Sequence, residues 1–90
     1  NLLNSLAHRT TWLRSDLIPK KHIDSLAKIE KEDEVLIGKI YGIINKIAEE
    51  KGFKEEGYRV IVNCGENGGQ EVMHLHFHIL AGTRLGEKIV

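Results

Sequence analysis

Several residue types are scarce in this sequence, and each scarcity narrows the class of protein. The 90 residues include a single cysteine, a single proline and equal numbers of basic and acidic side chains, 13 of each. Cys64 alone can form neither an intramolecular disulfide nor an all-cysteine zinc site, which suits a reducing compartment and predicts a cytoplasmic protein. A net charge of zero supplies no electrostatic footprint for nonspecific binding to nucleic acid or to an anionic membrane.

Long apolar runs are also missing, so the sequence predicts no transmembrane helix and no signal-peptide core. A hydrophobic content of 41% is typical of one soluble globular domain, here spanning residues 1–90. A domain of this size buries only about 60–65% of the surface that its unfolded chain exposes, which leaves a small core. We therefore expect oligomerisation to add to its stability.

The clearest periodic segment predicts a helix over Asp33–Lys51. Acidic residues at its start, and a lysine followed by Gly52 at its end, suit the helix dipole and a left-handed C-cap. Its apolar residues recur at helical spacing and share one face: Leu36, Ile40, Ile43, Ile44 and Ile47.

The segment before this helix carries weaker patterns. Residues 1–17 show neither clean alternation nor a sustained helical period. Further on, Asp24 or Ser25 can cap a short helix whose apolar positions are Leu26 and Ile29.

Three strands are predicted, over residues 10–18, 58–64 and 74–82, from β-branched and apolar content bounded by proline or glycine. The second and third are separated by a short glycine-rich segment, so they are expected to pair as antiparallel neighbours. The predicted fold class is α+β: an antiparallel sheet with the long helix packed on one face.

The last predicted strand contains three of the five histidines of the chain. Because successive side chains of a strand point to opposite faces, His74, His76 and His78 share one face, and the apolar residues between them share the other. Neighbouring histidines are then separated by about 6.6–7 Å along the strand. One phosphate group could contact two of them.

Three interpretations of this histidine row (His74, His76 and His78) remain open from its spacing. The row could be a solvated or structurally satisfied face, although chance clustering explains it poorly. It could hold Zn²⁺, since alternate strand histidines supply two ligands, but the strand has no cysteine or carboxylate to complete the set. It could act on a phosphate, with a neutral imidazole attacking phosphorus and its neighbours binding charge.

Residues 63–70, which we call the glycine-rich loop, favour the third interpretation. Their sequence, NCGENGGQ, offers backbone N–H groups that could cradle an anion. Asparagine and glycine are also ordinary turn residues, so the loop is a weak signal without the histidine row beside it.

Together, these residues resemble the histidine triad hydrolases, whose signature is His-φ-His-φ-His-φ-φ with φ apolar, and the segment from His74 to Leu80 matches it at every position. VNCGENGGQEV and IPKKHI are similar to the branch of purine nucleoside phosphoramidases often called Hint proteins. The resemblance covers residues 18–85, while residues 1–17 match poorly. It implies hydrolysis of nucleoside 5′-phosphoramidates, such as adenosine monophosphoramidate, through a covalent nucleotidyl-histidine intermediate, with no cofactor and no metal.

The resemblance also implies a role for each site residue. His76 would be the nucleophile that attacks the α-phosphorus, and His74 and His78 would orient it and contact the phosphate. Asn63 would lie near the phosphate and the nucleotide 5′ oxygen. The other implied nucleotide-binding residues, on and near the leaving-group side, are Gly69, Gln70 and Glu71. Family members often carry a hydroxyl residue where Glu71 stands, and a carboxylate there would favour an amine leaving group.

Upstream, the chain departs from the family pattern. Arg14 stands where the family places a fourth histidine, and Leu6 stands where it places an acidic ribose-binding residue. These departures keep a second function open: a nucleotide-binding or partner-binding module with little or no turnover.

The implied partners are a purine nucleotide or nucleoside phosphoramidate and a second copy of the chain. In the implied homodimer, the long helix and residues 58–64 lie near the twofold axis.

Four other residues are predicted to be structural: His22 on a solvated rim, His8 on the surface, Cys64 as a small buried hydrophobe, and Trp12 in the core or an interface.

Overall fold

The computed structural model describes residues 3–9, 13–82 and 86. Its elements, in chain order, are β1 (Leu3–Arg9), β2 (Leu13–Pro19), a short 3₁₀ helix (Leu26–Lys28), α1 (Asp33–Lys51), β3 (Arg59–Ile61) and β4 (Phe77–Ala81). This composition confirms the predicted α+β class. Among the described residues, no helix combines the length and the apolar character needed to cross a membrane.

The strands form one antiparallel sheet in the order β1-β2-β4-β3. β4, the last of them along the chain, is therefore inserted between β2 and β3 and hydrogen-bonded on both sides. In this register His78 lies opposite Asp16 of β2 and opposite Ile61 of β3. The predicted antiparallel pairing of the two strands on either side of the glycine-rich loop is confirmed.

The predicted helix Asp33–Lys51 is confirmed at both ends. Gly52 adopts a left-handed φ of 81°, and its N–H donates to two carbonyls of the last turn, as a glycine C-cap does. Ile40, Ile44 and Ala48 form the buried face of the helix.

An acidic side chain at the start of α1 ties the helix to the segment that follows β2. Asp33 is buried; its Oδ2 accepts a hydrogen bond from the Glu30 backbone N–H at 2.8 Å, and its Oδ1 pairs with the Lys21 ammonium. The Glu30 N–H and the Lys21 ammonium hold the pKa of Asp33 below its usual value, and the bond to Asp33 raises the pKa of Lys21. These contacts fix the connection that carries His22.

The core lies between α1 and one face of the sheet. Tyr41 of α1 packs edge-on against Phe77 of β4, with 5.7 Å between the ring centroids. The buried apolar cluster consists of Leu3, Leu17, Ile23, Ile40, Ile44, Ala48, Phe53, Leu75, Phe77, Ile79 and Ala81. Each large side chain fully buried here contributes about 1.5–3 kcal/mol. Because α1 covers this face, the opposite face of β4 is left for polar side chains.

Residues 1–17 contain more strand than the sequence predicted. The strand predicted over residues 10–18 is found as β2 (Leu13–Pro19), whereas β1 was not predicted; the two pair along their lengths, with Leu3 opposite Pro19 and Arg9 opposite Leu13. Residues 10–12 lie outside the described residues. β1 is an edge strand whose backbone bonds to β2, and such pairing requires no regular alternation of side chains.

The two strands around the glycine-rich loop are shorter than predicted. β3 ends at Ile61 rather than at residue 64, and β4 begins at Phe77 rather than at residue 74. Between them the backbone bonds elsewhere: the Leu75 N–H donates to the Ile23 carbonyl at 2.7 Å, and the His74 N–H donates to the Val72 carbonyl at 2.8 Å. His74 and His76 therefore precede the strand.

The short helix after β2 is a single 3₁₀ turn. Ser25 occupies its N-cap position without a side-chain hydrogen bond. Ile29 packs against the core, whereas Leu26 is 39% exposed. A turn of three residues does not bring two apolar positions onto one buried face.

Candidate active site

The histidine row lies along β4 and the residues just before it, on the face that α1 does not cover. All three histidines are partly buried, whereas Leu75 and Phe77, between them, are at most 1% exposed. The ring centroids are 6.0 Å apart for His74 and His76, and 5.9 Å apart for His76 and His78. The predicted alternation is therefore observed, and it extends two histidines beyond the regular strand.

The hydrogen bonds of the first two histidines define their protonated nitrogens. His74 Nε2 contacts the Pro19 carbonyl at 3.2 Å, and His76 Nδ1 contacts the His74 carbonyl. A carbonyl oxygen can only accept, so each of these ring nitrogens carries the hydrogen. In the neutral imidazole of His76 the lone pair is then on Nε2, which no described residue engages in a hydrogen bond.

The third histidine pairs with an acid that the sequence interpretation did not single out. Asp16, on β2, lies directly opposite His78, and its Oδ1 is 2.7 Å from His78 Nδ1. Both side chains are largely buried, with 12% of the Asp16 side chain and 20% of the His78 side chain exposed. Only the strand register identifies this partner, since 62 residues separate the two in the sequence.

A cavity of about 320 Å³ lies over the histidine row. This volume is within the range of small-molecule sites, roughly 300–1,000 Å³. Every site residue predicted from the sequence lines it, together with Asp16 and Val72, which were not predicted. The lining residues are Asp16, Asn63, Gly69, Gln70, Glu71, Val72, His74, His76 and His78.

The glycine-rich loop is held by its own hydrogen bonds. The Gly69 N–H donates to the Glu66 carbonyl, and the Gln70 N–H donates to the Gly65 carbonyl, both at 3.0 Å. The Gly65 N–H donates to the Gln70 side-chain oxygen at 2.9 Å. These three N–H groups already have acceptors, so the predicted cradle of free N–H groups is wrong for them: the loop needs them to close its turn.

Two predicted nucleotide-binding side chains also take part in this loop structure. The Asn63 amide donates to the Gly68 carbonyl at 2.7 Å. The Gln70 amide nitrogen donates to the Asp24 carbonyl at 2.6 Å and to the Val72 carbonyl at 3.0 Å. Gln70 thus connects the loop to the segment after β2, and it also lines the cavity.

His22 lies at the rim, as predicted, but it contacts the histidine row. Its side chain is 64% exposed, and its Nε2 is 2.7 Å from Asp24 Oδ1. Its ring centroid is 4.6 Å from that of His74.

Cys64 is partly exposed in the loop, so its predicted burial was wrong. Trp12 and the side chain of His8 lie outside the described residues.

Within the described part of the chain, no group of three or more histidine, cysteine or acidic side chains is arranged to hold a metal ion. What the arrangement offers is a free imidazole nitrogen flanked by two further imidazoles, above a cavity rimmed by loop residues.

Residues 16–85 match the family model described as the HIT domain, which covers more than half of the chain. This chain therefore belongs to the histidine triad (HIT) family.

Solved structures support the same assignment. A histidine triad protein from Clostridium difficile is 41% identical, with a TM-score of 0.81, and the match covers 97% of this chain and 85% of that one. A HIT family hydrolase from Clostridium thermocellum is 34% identical, with a TM-score of 0.79 and coverage of 98% and 88%.

Curated relatives match over about three quarters of the chain. A HIT-like protein of Chlamydia trachomatis serovar D is 49% identical over 70 residues, which are 78% of this chain and 62% of that protein. The purine nucleoside phosphoramidase of Escherichia coli is 41% identical over 70 residues, 78% of this chain and 59% of that enzyme. The chain thus spans about three fifths of the length of the curated relatives it matches.

Proposed function

We propose that this chain is a hydrolase that cleaves nucleoside 5′-phosphoramidates through a covalent nucleotidyl-histidine intermediate. The observation that carries the proposal is the state of His76: its Nδ1–H donates to the His74 carbonyl, so the lone pair of Nε2 is free beside the cavity. The similarity to a purine nucleoside phosphoramidase supports an adenosine monophosphoramidate-like substrate.

In the first step, His76 Nε2 attacks the α-phosphorus. The Nε2–P bond forms, the bond from phosphorus to the leaving nitrogen breaks, and the amine departs after gaining a proton. His74 and His78 flank the reacting nitrogen, with ring centroids about 6 Å from that of His76, so all three imidazoles border the space that the phosphoryl group would occupy. Nucleophilic catalysis of this kind divides one difficult displacement into two easier ones.

In the second step, water attacks the same phosphorus, the Nε2–P bond breaks, and the nucleoside monophosphate leaves. Asn63 lies on the cavity wall near the phosphate and the 5′ oxygen. Gly69, Gln70 and Glu71 line the leaving-group side, where the exposed Glu71 carboxylate favours a cationic amine. No cofactor or metal enters either step.

We also propose that residues 1–90 act as one domain within a homodimer. β3 forms one edge of the sheet, and Val35 and Tyr41 leave apolar surface exposed on α1, 66% and 47% respectively. Pairing of these surfaces with a second copy would enlarge a small core. Size-exclusion chromatography with light scattering is expected to give twice the 10.2 kDa chain mass at micromolar concentration; the mass of one chain would contradict the dimer.

The chemical proposal is tested by trapping the intermediate. The protein is mixed briefly with an adenosine 5′-phosphoramidate, quenched in acid-free denaturant and measured by intact mass spectrometry. We expect a mass increase of one adenylyl group, and fragmentation should locate it on His76. Matched samples contain the His76→Ala variant, which should show no adduct, and adenosine monophosphate in place of the amide.

A different result would favour the second candidate function. The chain has Arg14 and Leu6 where the family places a histidine and a ribose-binding acid, so binding could persist without chemistry. Saturable nucleotide binding with neither an adduct nor released amine would identify a binding module and overturn the hydrolase proposal.

A further inference from the structure

We infer that Asp16 is a positioning residue that holds His78 as the proton donor to the leaving amine. The inference rests on the proposed function, because it concerns the same displacement at phosphorus. It adds a residue and a division of labour that the histidine row does not itself provide: His76 forms the bond to phosphorus, and the pair Asp16–His78 supplies the proton.

The first support is the geometry of the pair. Asp16 lies opposite His78 in the β2–β4 register, on the same face of the sheet, and both line the cavity. The distance of 2.7 Å from Oδ1 to Nδ1 is that of a charge-assisted hydrogen bond. An ionised carboxylate can only accept, so Nδ1 of His78 carries the hydrogen.

The second support is burial. Asp16 is 8% exposed and belongs to the sheet interior rather than to a solvated rim. A buried carboxylate is costly unless it is hydrogen-bonded, and the His78 Nδ1–H supplies one such bond to Oδ1. Among the described residues, Asp24 is the other carboxylate bonded to a histidine, and it is exposed and outside the cavity.

These two features determine which nitrogen faces the reaction. With Nδ1 bonded to Asp16, Nε2 is the only ring nitrogen of His78 that can contact substrate, and no described residue bonds to it. When both of its ring nitrogens carry a hydrogen, His78 donates the one on Nε2 to the departing nitrogen while the P–N bond breaks. It is left neutral, with an Nε2 lone pair that accepts a proton from the attacking water in the second step, which restores the starting state.

The proton is needed only when the leaving group is a poor one. An alkylamine cannot leave as an anion, whereas 4-nitrophenolate leaves without protonation. The test therefore compares two substrates that share adenosine monophosphate and the same adenylyl intermediate: its alkylamide and its 4-nitrophenyl ester. The measured quantity is the first-turnover rate of leaving-group release, because this step precedes the common hydrolysis of the adduct.

For Asp16→Asn we expect the alkylamide rate to fall about 10-fold to 100-fold, part of the 10²–10⁴ that general acid–base catalysis typically contributes. The nitrophenyl ester rate should stay within about threefold of the wild-type rate, since attack by His76 is unchanged. Asp24→Asn is the matched control, because it removes a carboxylate–histidine contact of the same 2.7 Å length outside the cavity. This control should leave the release rates of both substrates within about twofold of the wild-type rates.

The outcomes separate the inference from the proposed function. Equal losses for both substrates, or no loss for either, would overturn the role of Asp16 while the hydrolase proposal stands. Failure of the wild-type protein to release either leaving group would overturn the hydrolase proposal itself.

A measurement on the wild-type protein covers the case in which Asp16→Asn does not fold. In a ¹⁵N-labelled sample, long-range proton–nitrogen spectra report which ring nitrogen of each histidine is protonated. We expect a hydrogen on Nδ1 of His78 in the folded protein. A bare Nδ1 on that residue would show that it does not donate to Asp16, and the inference would fail.

Discussion

Replacing His76 with alanine is expected to lower turnover of an adenosine 5′-phosphoramidate by a factor on the order of 10⁴ or more. The substitution removes the Nε2 atom that forms the bond to phosphorus. The rings of His74 and His78 stay in place, because they are hydrogen-bonded to Pro19 and Asp16. Affinity for adenosine monophosphate should change only a few-fold. His74→Ala and His78→Ala should lose less, about 10²–10⁴, because they orient and stabilise rather than attack.

The control for this experiment is His22→Ala. This imidazole lies 4.6 Å from the His74 ring but is 64% exposed and does not line the cavity, so its loss should change turnover only a few-fold. His76→Gly provides a second readout, since added imidazole can occupy the vacated space and attack phosphorus in place of the missing ring. If His76→Ala keeps a substantial turnover rate while His74→Ala or His78→Ala abolishes turnover, the nucleophile has been assigned to the wrong ring.

The second large effect is expected from Gly68→Ala in the glycine-rich loop. A Cβ built at this position would lie 2.3 Å from the Cys64 carbonyl oxygen and 2.9 Å from the Cys64 nitrogen. Both atoms are backbone, so no side chain can move aside and the loop itself must shift. We expect a loss of about 1–3 kcal/mol in the free energy of unfolding, as for overpacking elsewhere. Because Asn63 donates to the Gly68 carbonyl, a shift of about 1 Å should also reduce turnover roughly 100-fold.

Thermal unfolding and steady-state kinetics measure these two effects. Asn67→Ala is the matched control, since the neighbouring side chain is exposed and does not line the cavity. The free energy of unfolding of Asn67→Ala should stay within about 0.5 kcal/mol of the wild-type value. Wild-type stability and rate in Gly68→Ala would mean that the close approach to Cys64 is not required in solution.

The sequence predicted the elements whose signals are local. The Asp33–Lys51 helix was correct because its apolar spacing, acidic start and glycine end all lie within one segment. The histidine row was correct because alternation along an extended chain is a property of the backbone, which holds even where His74 and His76 precede the strand. The membership of seven residues in one site came from the family resemblance, and all seven line the cavity.

Other features depended on contacts between distant segments. β1 was missed because its stability comes from pairing with β2, which no local pattern encodes. The loop N–H groups looked free in the sequence, yet three of them close the loop itself. A free N–H cannot be recognised until every possible acceptor has been placed.

By itself, the sequence determined three local features: three imidazoles on one face, one long amphipathic helix, and a glycine-rich turn ahead of the histidines. Only the tertiary structure decided which ring nitrogen of each of these histidines donates a hydrogen bond, and which acid bonds to His78. Pro19 and Asp16 lie 55 and 62 residues before the histidines they contact. The β2–β4 register brings Asp16 within hydrogen-bond distance of His78, because the position of a side chain opposite another strand is fixed by pairing rather than by sequence separation.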